Sequence, residues 1–134
     1  AGLTSSDLHP LAQIISSAVV GVEPRIMGIG PVRASEIALQ RAGITFDDLD
    51  VIELNEAFSA QALACIRSMN LADDDARINP NGGGISIGHP LGVSGSRILL
   101  AAARQLNRLG GKYALVTLCI GVGQGYAVVI KNAQ

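Results

Sequence analysis

Cysteine, charge and long apolar runs are all scarce in this chain. Two cysteines in 134 residues cannot build the disulfide framework of a small secreted domain, so we expect a reducing compartment. No apolar run approaches the ~20 residues of a membrane span. No basic cluster accompanies the net charge of −1, which argues against a nucleic acid partner. We therefore expect a cytoplasmic protein without membrane contact, or an organellar one should a targeting segment precede Ala1.

Apolar residues are abundant for so short a chain. They make up 49% of it against 16% charged residues, and the mean hydropathy is +0.38. A small soluble monomer normally shows more charge, so we expect one face to be covered by another domain or subunit. The best candidate is the apolar side of a helix predicted at 92–109. That side holds Ile98, Leu99, Ala102, Ala103 and Leu106.

Hydrophobic periodicity and turn residues predict the order β-α-β-α-(short β)-α-β-β. The predicted elements are a buried strand in 11–22, a helix at 32–42, a strand at 51–54, a helix from Glu56 to about 70, a short extended stretch at 78–87, the helix at 92–109, and a hairpin of 113–118 with 126–131. This order predicts an α/β fold with a mixed, mostly parallel sheet of five strands and packed helices. Residues 1–8 resemble a linker or a chain edge, and residues 9–134 form one domain.

Three polar side chains are predicted to meet at one edge of this sheet. Asn55 and Cys119 follow predicted strands, and His89 precedes a helix between Gly88 and Pro90. Histidine exchanges protons near neutral pH, and the proline restricts the backbone that carries it. Alone, His89 would be an ordinary turn residue and Cys119 a core residue. Together, among glycines, they favour acyl transfer at a thioester.

Other polar or glycine-rich features favour structural interpretations. Neither glycine run fits a Walker or dinucleotide-binding fingerprint. Asp73, Asp74 and Asp75 form a solvated turn without the spaced ligands of a metal site. Cys65 lies in a predicted helix and is expected in the core. No bound metal or cofactor is therefore predicted.

Three motifs carry a family resemblance. Asn-Glu-Ala-Phe at 55–58, Asn-Gly-Gly through Gly-His-Pro-Leu-Gly at 81–92, and Cys-Ile-Gly-Val-Gly-Gln-Gly at 119–125 are similar to those of the thiolases, in the same order. The resemblance covers almost the whole chain and matches the second of the two similar halves of a thiolase. Val122 most resembles the 3-oxoadipyl-CoA and degradative 3-ketoacyl-CoA enzymes.

The resemblance implies a role for each matching residue. His89 would take the proton of a nucleophilic cysteine and, with a water held by Asn55, stabilise the thioester oxyanion. Cys119 would act as acid and base on the α-carbon, and the Gly121 amide would complete a second oxyanion hole. Met27 and Phe58 would line the acyl pocket.

The same resemblance implies what lies outside these residues. The nucleophilic cysteine belongs to the first half of a thiolase, so this chain alone is expected to be inactive. Its implied partners are that N-terminal half, an acyl-CoA substrate, and further copies in a homodimer or homotetramer. Two other functions remain open: a docking module without chemistry, and a ketoacyl-synthase-type condensing enzyme on the same fold. The motifs at 55–58 and 88–90 argue against the latter.

Overall fold

A computed structural model describes residues 9–134, and the linker predicted at residues 1–8 lies outside them. The described part of the chain forms a single four-stranded sheet with helices on both faces. The elements in chain order are β1 (Ala12–Gly21), a 3-10 helix (Pro24–Ile29), α1 (Gly30–Ala42), a second 3-10 helix (Phe46–Asp48), β2 (Val51–Leu54), α2 (Ser59–Ser68), α3 (Gly84–Ile87), α4 (Ser94–Leu109), β3 (Tyr113–Ile120) and β4 (Gln124–Asn132).

The strands lie in the order β1-β4-β3-β2. The predicted hairpin is confirmed, since β3 and β4 pair in antiparallel register, with Cys119 opposite Gly125. Strand β1 also runs antiparallel to β4, with a bulge between Ile14 and Ser16. Strand β2 pairs in parallel with β3, and Leu54 lies opposite Thr117. The predicted α/β class is confirmed, but parallel pairing is limited to the β2 side of the sheet.

The predicted fifth strand is wrong. Of the stretch 78–87, only Ile78 pairs with the sheet, through one parallel bridge to Ile52. Asn79 then adopts a left-handed backbone with φ of 46°, and Gly82 follows with φ of 90°. Such turns cannot continue an extended strand. The chain leaves the sheet there and forms the short helix α3.

Two helical layers bury the sheet. On one face, α1 packs through small residues such as Ala34 and Ala38 against the strands, with α2 beside it. On the other face, α4 packs against β2, β3 and β4. The α4 face contributes Ile98, Ala102, Ala103 and Leu106, all buried. None of the helices in residues 9–134 is long and apolar enough to span a membrane.

The surface left for a partner differs from the one that the sequence predicted. Five apolar residues of α4 were expected to be covered by another sheet. Four of them are already buried against this chain's own sheet. Exposed apolar side chains occur in several segments, including 85–93 and Val122. Those beside the buried set lie on β1 and the outer side of α4, where Ile14 is 63% and Leu100 43% exposed. They border a groove of about 410 Å³ between β1 and α4. Strand β1 is therefore an exposed edge strand and not the buried strand that its Ile and Val content predicted.

A glycine contact sets how closely α1 approaches the sheet. Gly30 begins α1, and Gly125 lies in β4 opposite Cys119. A Cβ on Gly125 would overlap the carbonyl group of Gly30, and one on Gly30 would lie 2.5 Å from the carbonyl oxygen of Gln124. Only glycine at both positions allows this backbone-to-backbone packing. The contact holds the start of α1 beside the strand end that carries Cys119.

We expect Gly125→Ala to destabilise the chain by roughly 1–3 kcal/mol, because the added methyl group forces α1 away from β4. Gly95→Ala is the matched control. Nothing lies within 4 Å of a Cβ at Gly95, which is in α4, so this change should be neutral or stabilise the fold by up to about 1 kcal/mol. Urea unfolding followed by circular dichroism measures both. Equal stabilities for the two variants would show that the glycine contact does not constrain α1.

Candidate functional site

The carboxyl end of β2 places Asn55 at the edge of the sheet. Its backbone N–H donates to the carbonyl oxygen of Thr117 in β3 at 3.0 Å, which extends the parallel ladder by one residue. The side chain is 1% exposed. Asn55 is therefore fixed by backbone pairing, and it is not a helix cap, because α2 begins only at Ser59.

Asn79 secures this strand end from the other side. Its Nδ2 donates to the carbonyl oxygen of Leu54 at 2.9 Å, and its Oδ1 accepts from the Leu54 N–H at 2.9 Å. The side-chain amide thus replaces the peptide group of a missing neighbouring strand. Asn79 Nδ2 also donates to Glu56 Oε1 at 2.8 Å, and Glu56 Oε2 accepts from the N–H of Ile85 at 3.0 Å. Glu56 therefore links the end of β2 to α3, a role different from the predicted opening of a helix.

His89 contacts Asn55 directly, at the sheet edge where the sequence predicted that both would lie. Its Nε2 is 3.2 Å from Asn55 Nδ2, and its Nδ1 is 2.6 Å from Ser94 Oγ. The loop before it is held by Arg97, whose Nη2 donates to the carbonyl oxygen of Gly88 at 2.6 Å. The imidazole is half-buried. Both ring nitrogens have protein partners, so the ring is oriented from two sides.

Cys119 lies on the neighbouring strand at the same edge. Asn55 bonds to Thr117, and Cys119 is the second residue beyond it, near the end of β3. Leu115, which shares the face of Cys119 by strand alternation, packs towards α1, while Val51, which shares the face of Asn55, packs towards α4. Cys119 thus approaches the edge from the sheet face opposite to that of the Asn55–His89 pair.

Burial sets the chemistry of the Cys119 thiol. It raises the pKa of the thiol above its ordinary value, so the group stays protonated at neutral pH. A protonated thiol is a poor nucleophile but can give a proton to a carbon atom and take it back. This state fits an acid and base better than it fits the attacking group.

Gly121 lies in the turn between β3 and β4 and faces solvent. The next two residues have left-handed backbones, Val122 with φ of 71° and Gly123 with φ of 103°. The turn is tied down by Val22, whose N–H donates to the carbonyl oxygen of Gly123 at 2.8 Å. The Gly121 amide therefore belongs to a fixed turn directly after Cys119.

Met27 and Phe58 do not themselves line the apolar groove of about 360 Å³ that their segments border. Met27 belongs to the 3-10 helix that supplies Ile26 and Ile29 to this groove, and Phe58 precedes α2, which supplies Ala60. Phe58 is 62% exposed, whereas Met27 is half-buried. The groove is lined by Ile26, Gly28, Ile29, Ala60, Gln61 and Ala64.

Cys65 is fully buried in α2, which confirms the core position expected from the sequence. Its Sγ donates to the carbonyl oxygen of Gly28 at 3.2 Å and accepts from Gln61 Nε2 at 3.5 Å. Burial raises the pKa of this thiol to about 11. The thiol thus joins α2 to the segment that carries Met27 and is not available as a nucleophile.

Glu53 is a buried carboxyl group that sequence reasoning missed. It shares a strand face with Val51 and Asn55 beneath α4, and it is 2% exposed. Burial raises its pKa to about 7, and the nearby charge of Glu56 adds to the rise while that of Arg97 opposes it. Its Oε1 has no hydrogen-bond partner among the described residues. A polar residue in a strand that otherwise reads as apolar was the available signal.

The acidic turn at 73–75 pairs with arginines. Arg67 Nη2 lies 2.7 Å from Asp73 Oδ2, and Arg77 Nη2 lies 2.7 Å from Asp75 Oδ2. In residues 9–134 no group of three or more His, Cys, Asp or Glu side chains is placed to hold a metal ion. The two ion pairs give this turn a structural role.

Comparisons with known proteins agree on one family. The model of the thiolase C-terminal domain matches residues 8–132. A beta-ketoadipyl-CoA thiolase of Acinetobacter baylyi is 61% identical over 125 residues, which are 93% of this chain and 31% of that protein. A 3-oxoadipyl-CoA/3-oxo-5,6-dehydrosuberyl-CoA thiolase of Escherichia coli strain K12 is 56% identical over the same shares.

Solved structures show the same relationship. The crystal structure of human mitochondrial 3-ketoacyl-CoA thiolase superposes with a TM-score of 0.90 at 51% identity, covering 94% of this chain and 32% of that one. A second structure of the same human enzyme is a complex with CoA. The chain belongs to the thiolase family and carries its C-terminal domain. It spans about a third of the length of these relatives.

We expect ionisation of the buried Glu53 carboxyl to lower the free energy of unfolding as pH rises from about 4.5 to 7. The unfolded carboxyl ionises near 4.5 but the folded one near 7, so stability falls across this window by on the order of 3 kcal/mol. Asp48, Asp73 and Asp75 have lowered pKa values and titrate below 3.8, outside it.

Urea unfolding at pH 5 and pH 8 tests this expectation. Glu53→Gln should remove most of the loss, because the amide cannot ionise. Glu36→Gln is the control, since Glu36 lies on the surface in an exposed pair with Arg33. A Glu53→Gln variant with the same pH dependence as the parent chain would contradict the assignment.

Proposed function

We propose that this chain supplies the proton-transfer residues of a thiolase, which catalyses reversible thiolytic cleavage and Claisen condensation of 3-ketoacyl-CoA. The observation that carries the proposal is the contact of His89 with both Asn55 and Ser94, at the sheet edge near which Cys119 lies in the last residues of β3 before the turn. The acyl-CoA is a substrate, and the residues described here hold it only in part.

His89 acts as the base for a nucleophilic thiol. Its half-buried ring, fixed on both nitrogens, takes the thiol proton through Nε2 and later stabilises the thioester oxyanion. Asn55 keeps Nε2 in place and holds a water that completes this oxyanion hole. Its Oδ1 is buried without a partner in the described chain, which leaves an acceptor for such a water.

Cys119 exchanges the proton of the acetyl α-carbon as the carbon–carbon bond forms or breaks. Its half-buried thiol, whose pKa is raised, suits this exchange. The Gly121 amide, in the fixed turn directly after it, completes the second oxyanion hole. Because Cys119 and His89 approach from opposite faces of the sheet, the thioester lies between them above the strand ends.

The nucleophilic cysteine comes from an N-terminal thiolase half. Both cysteines of this chain have raised pKa values, so neither suits nucleophilic attack. Residues 9–134 fold as the second half, and residues 1–8 serve as a linker. The groove between β1 and α4, with Ile14 and Leu100 exposed beside it, is the surface that the rest of the protein covers.

The substrate class follows from the relatives and the turn after Cys119. Two bacterial relatives are named as a beta-ketoadipyl-CoA thiolase and a 3-oxoadipyl-CoA/3-oxo-5,6-dehydrosuberyl-CoA thiolase, and the motif resemblance at Val122 points to the same group. The acyl chain lies along the groove bordered by the segments of Met27 and Phe58. We place the enzyme in the cytoplasm, in degradation of aromatic or fatty acids, as a homodimer or homotetramer.

We expect the 134-residue chain by itself to show no thiolase activity, because it lacks an activated thiol. Thiolysis of acetoacetyl-CoA by the purified chain is the measurement, and the rate should not exceed the background. Turnover that disappears in Cys119→Ser or Cys65→Ser would mean that the chain contains its own nucleophile.

In the complete protein, we expect His89 and Cys119 variants to fail at different steps. His89→Ala should suppress both acylation of the nucleophile and condensation, each by about 100-fold or more, because the base is absent. Cys119→Ser should retain much of the acylation and lose condensation, because a hydroxyl group is a weaker acid.

The rate of acylation of the nucleophile, measured in quenched single-turnover assays, and the steady-state rate of condensation report the two steps separately. His9→Gln is the control for removing a histidine, since His9 is exposed before β1. If Cys119→Ser lost both steps equally, the proposed division between the two residues would be wrong.

A further inference from the structure

A continuous chain of hydrogen bonds crosses the site from Asn55 to Pro90. Asn55 Nδ2 lies 3.2 Å from His89 Nε2, His89 Nδ1 lies 2.6 Å from Ser94 Oγ, and Ser94 Oγ donates to the carbonyl oxygen of Pro90 at 3.1 Å. Ser94 is fully buried. Its hydroxyl group therefore has no access to solvent and is limited to these protein partners.

The protons along this chain can be counted. A hydroxyl group has one hydrogen, and Ser94 gives it to the carbonyl oxygen of Pro90. Its oxygen can then only accept from the imidazole, which places a proton on His89 Nδ1. At the other end, Asn55 Nδ2 can only donate, so Nε2 must accept. Donation by Ser94 to Pro90 and donation by Asn55 to the ring thus agree on the same neutral tautomer.

We propose that Ser94 is a positioning residue that holds His89 in the Nδ1–H tautomer, so that the basic lone pair is on Nε2, where it accepts from Asn55 Nδ2 until a thiol proton replaces that contact. This role deepens the function proposed for His89 and rests on it. When Nε2 takes the thiol proton, it gives up the hydrogen bond from Asn55 Nδ2, because both atoms are then donors, and the ring becomes a cation that keeps Nδ1–H on Ser94. When the proton leaves Nε2, the same neutral tautomer is restored. No proton passes through the serine.

The first turn of α4 makes this arrangement rigid. Ser94 begins the helix and Arg97 lies one turn later, where its Nη2 holds the carbonyl oxygen of Gly88. Ser94 also holds the carbonyl oxygen of Pro90. The residues on both sides of His89 are thus bound to one helix, so the ring and its hydrogen bond to Ser94 move as a unit.

Nuclear magnetic resonance of the imidazole tests the tautomer without reference to activity. The chain has two histidines, and His9→Gln leaves His89 as the single ring to observe. Long-range proton–nitrogen spectra of the neutral ring should show Nδ1 protonated and Nε2 free. In Ser94→Ala, the ratio of Nδ1–H to Nε2–H forms should fall about tenfold, as expected for the loss of one buried hydrogen bond.

Two further variants separate positioning from stability. Ser94→Thr keeps the hydroxyl group and should retain the parent ratio, whereas Ser96→Ala, an exposed serine on the same helix, should not change it. A parent chain with Nε2–H or with the tautomer mixture of free histidine would overturn the proposal. So would a Ser94→Ala chain that keeps the parent ratio. Failure of the thiolase function would instead appear in the condensation assay, with the tautomer unchanged.

Discussion

The parallel ladder between β2 and β3 determines where Asn55 and Cys119 lie and which edge His89 must reach. It brings Leu54 opposite Thr117, and this register places Asn55 and Cys119 at one edge of the sheet. His89 reaches the same edge only because its loop returns to α4, which packs on these strands. A shift of the ladder by one residue would turn Asn55 towards the other face and break its contact with His89.

The ladder is short, and side-chain hydrogen bonds replace the backbone hydrogen bonds that a further strand would make to it. Strand β2 has four residues, and the last of them is bonded on its outer side by the amide of Asn79. Glu56 connects that amide to α3. The edge that carries Asn55 is therefore stabilised by a polar network where a longer sheet would use another strand. Such a network is specific because the side-chain atoms of Asn79 and Glu56 that form it each have a defined partner.

Sequence patterns predicted the residues whose local context is distinctive. The glycines around His89 and after Cys119, and the predicted strand end at Asn55, were sufficient to predict that these three residues lie at one edge of the sheet. Ser94 and Asn79 were missed because their roles depend on distances across the fold, and serine or asparagine in a turn is unremarkable. The burial of β1 was predicted wrongly. An apolar run indicates that a strand can pack against an apolar surface, but it does not indicate whether that surface belongs to the same chain.

The bulge between Ile14 and Ser16 has a consequence for the solution behaviour of the sheet. An open edge strand invites pairing with another molecule, and a bulge disturbs the regular spacing of N–H and C=O groups that such pairing needs. The opposite edge, at β2, is occupied by Ile78 and the Asn79 amide. Neither edge thus offers a long regular template, which limits fibrillar growth even when apolar side chains of β1 face water.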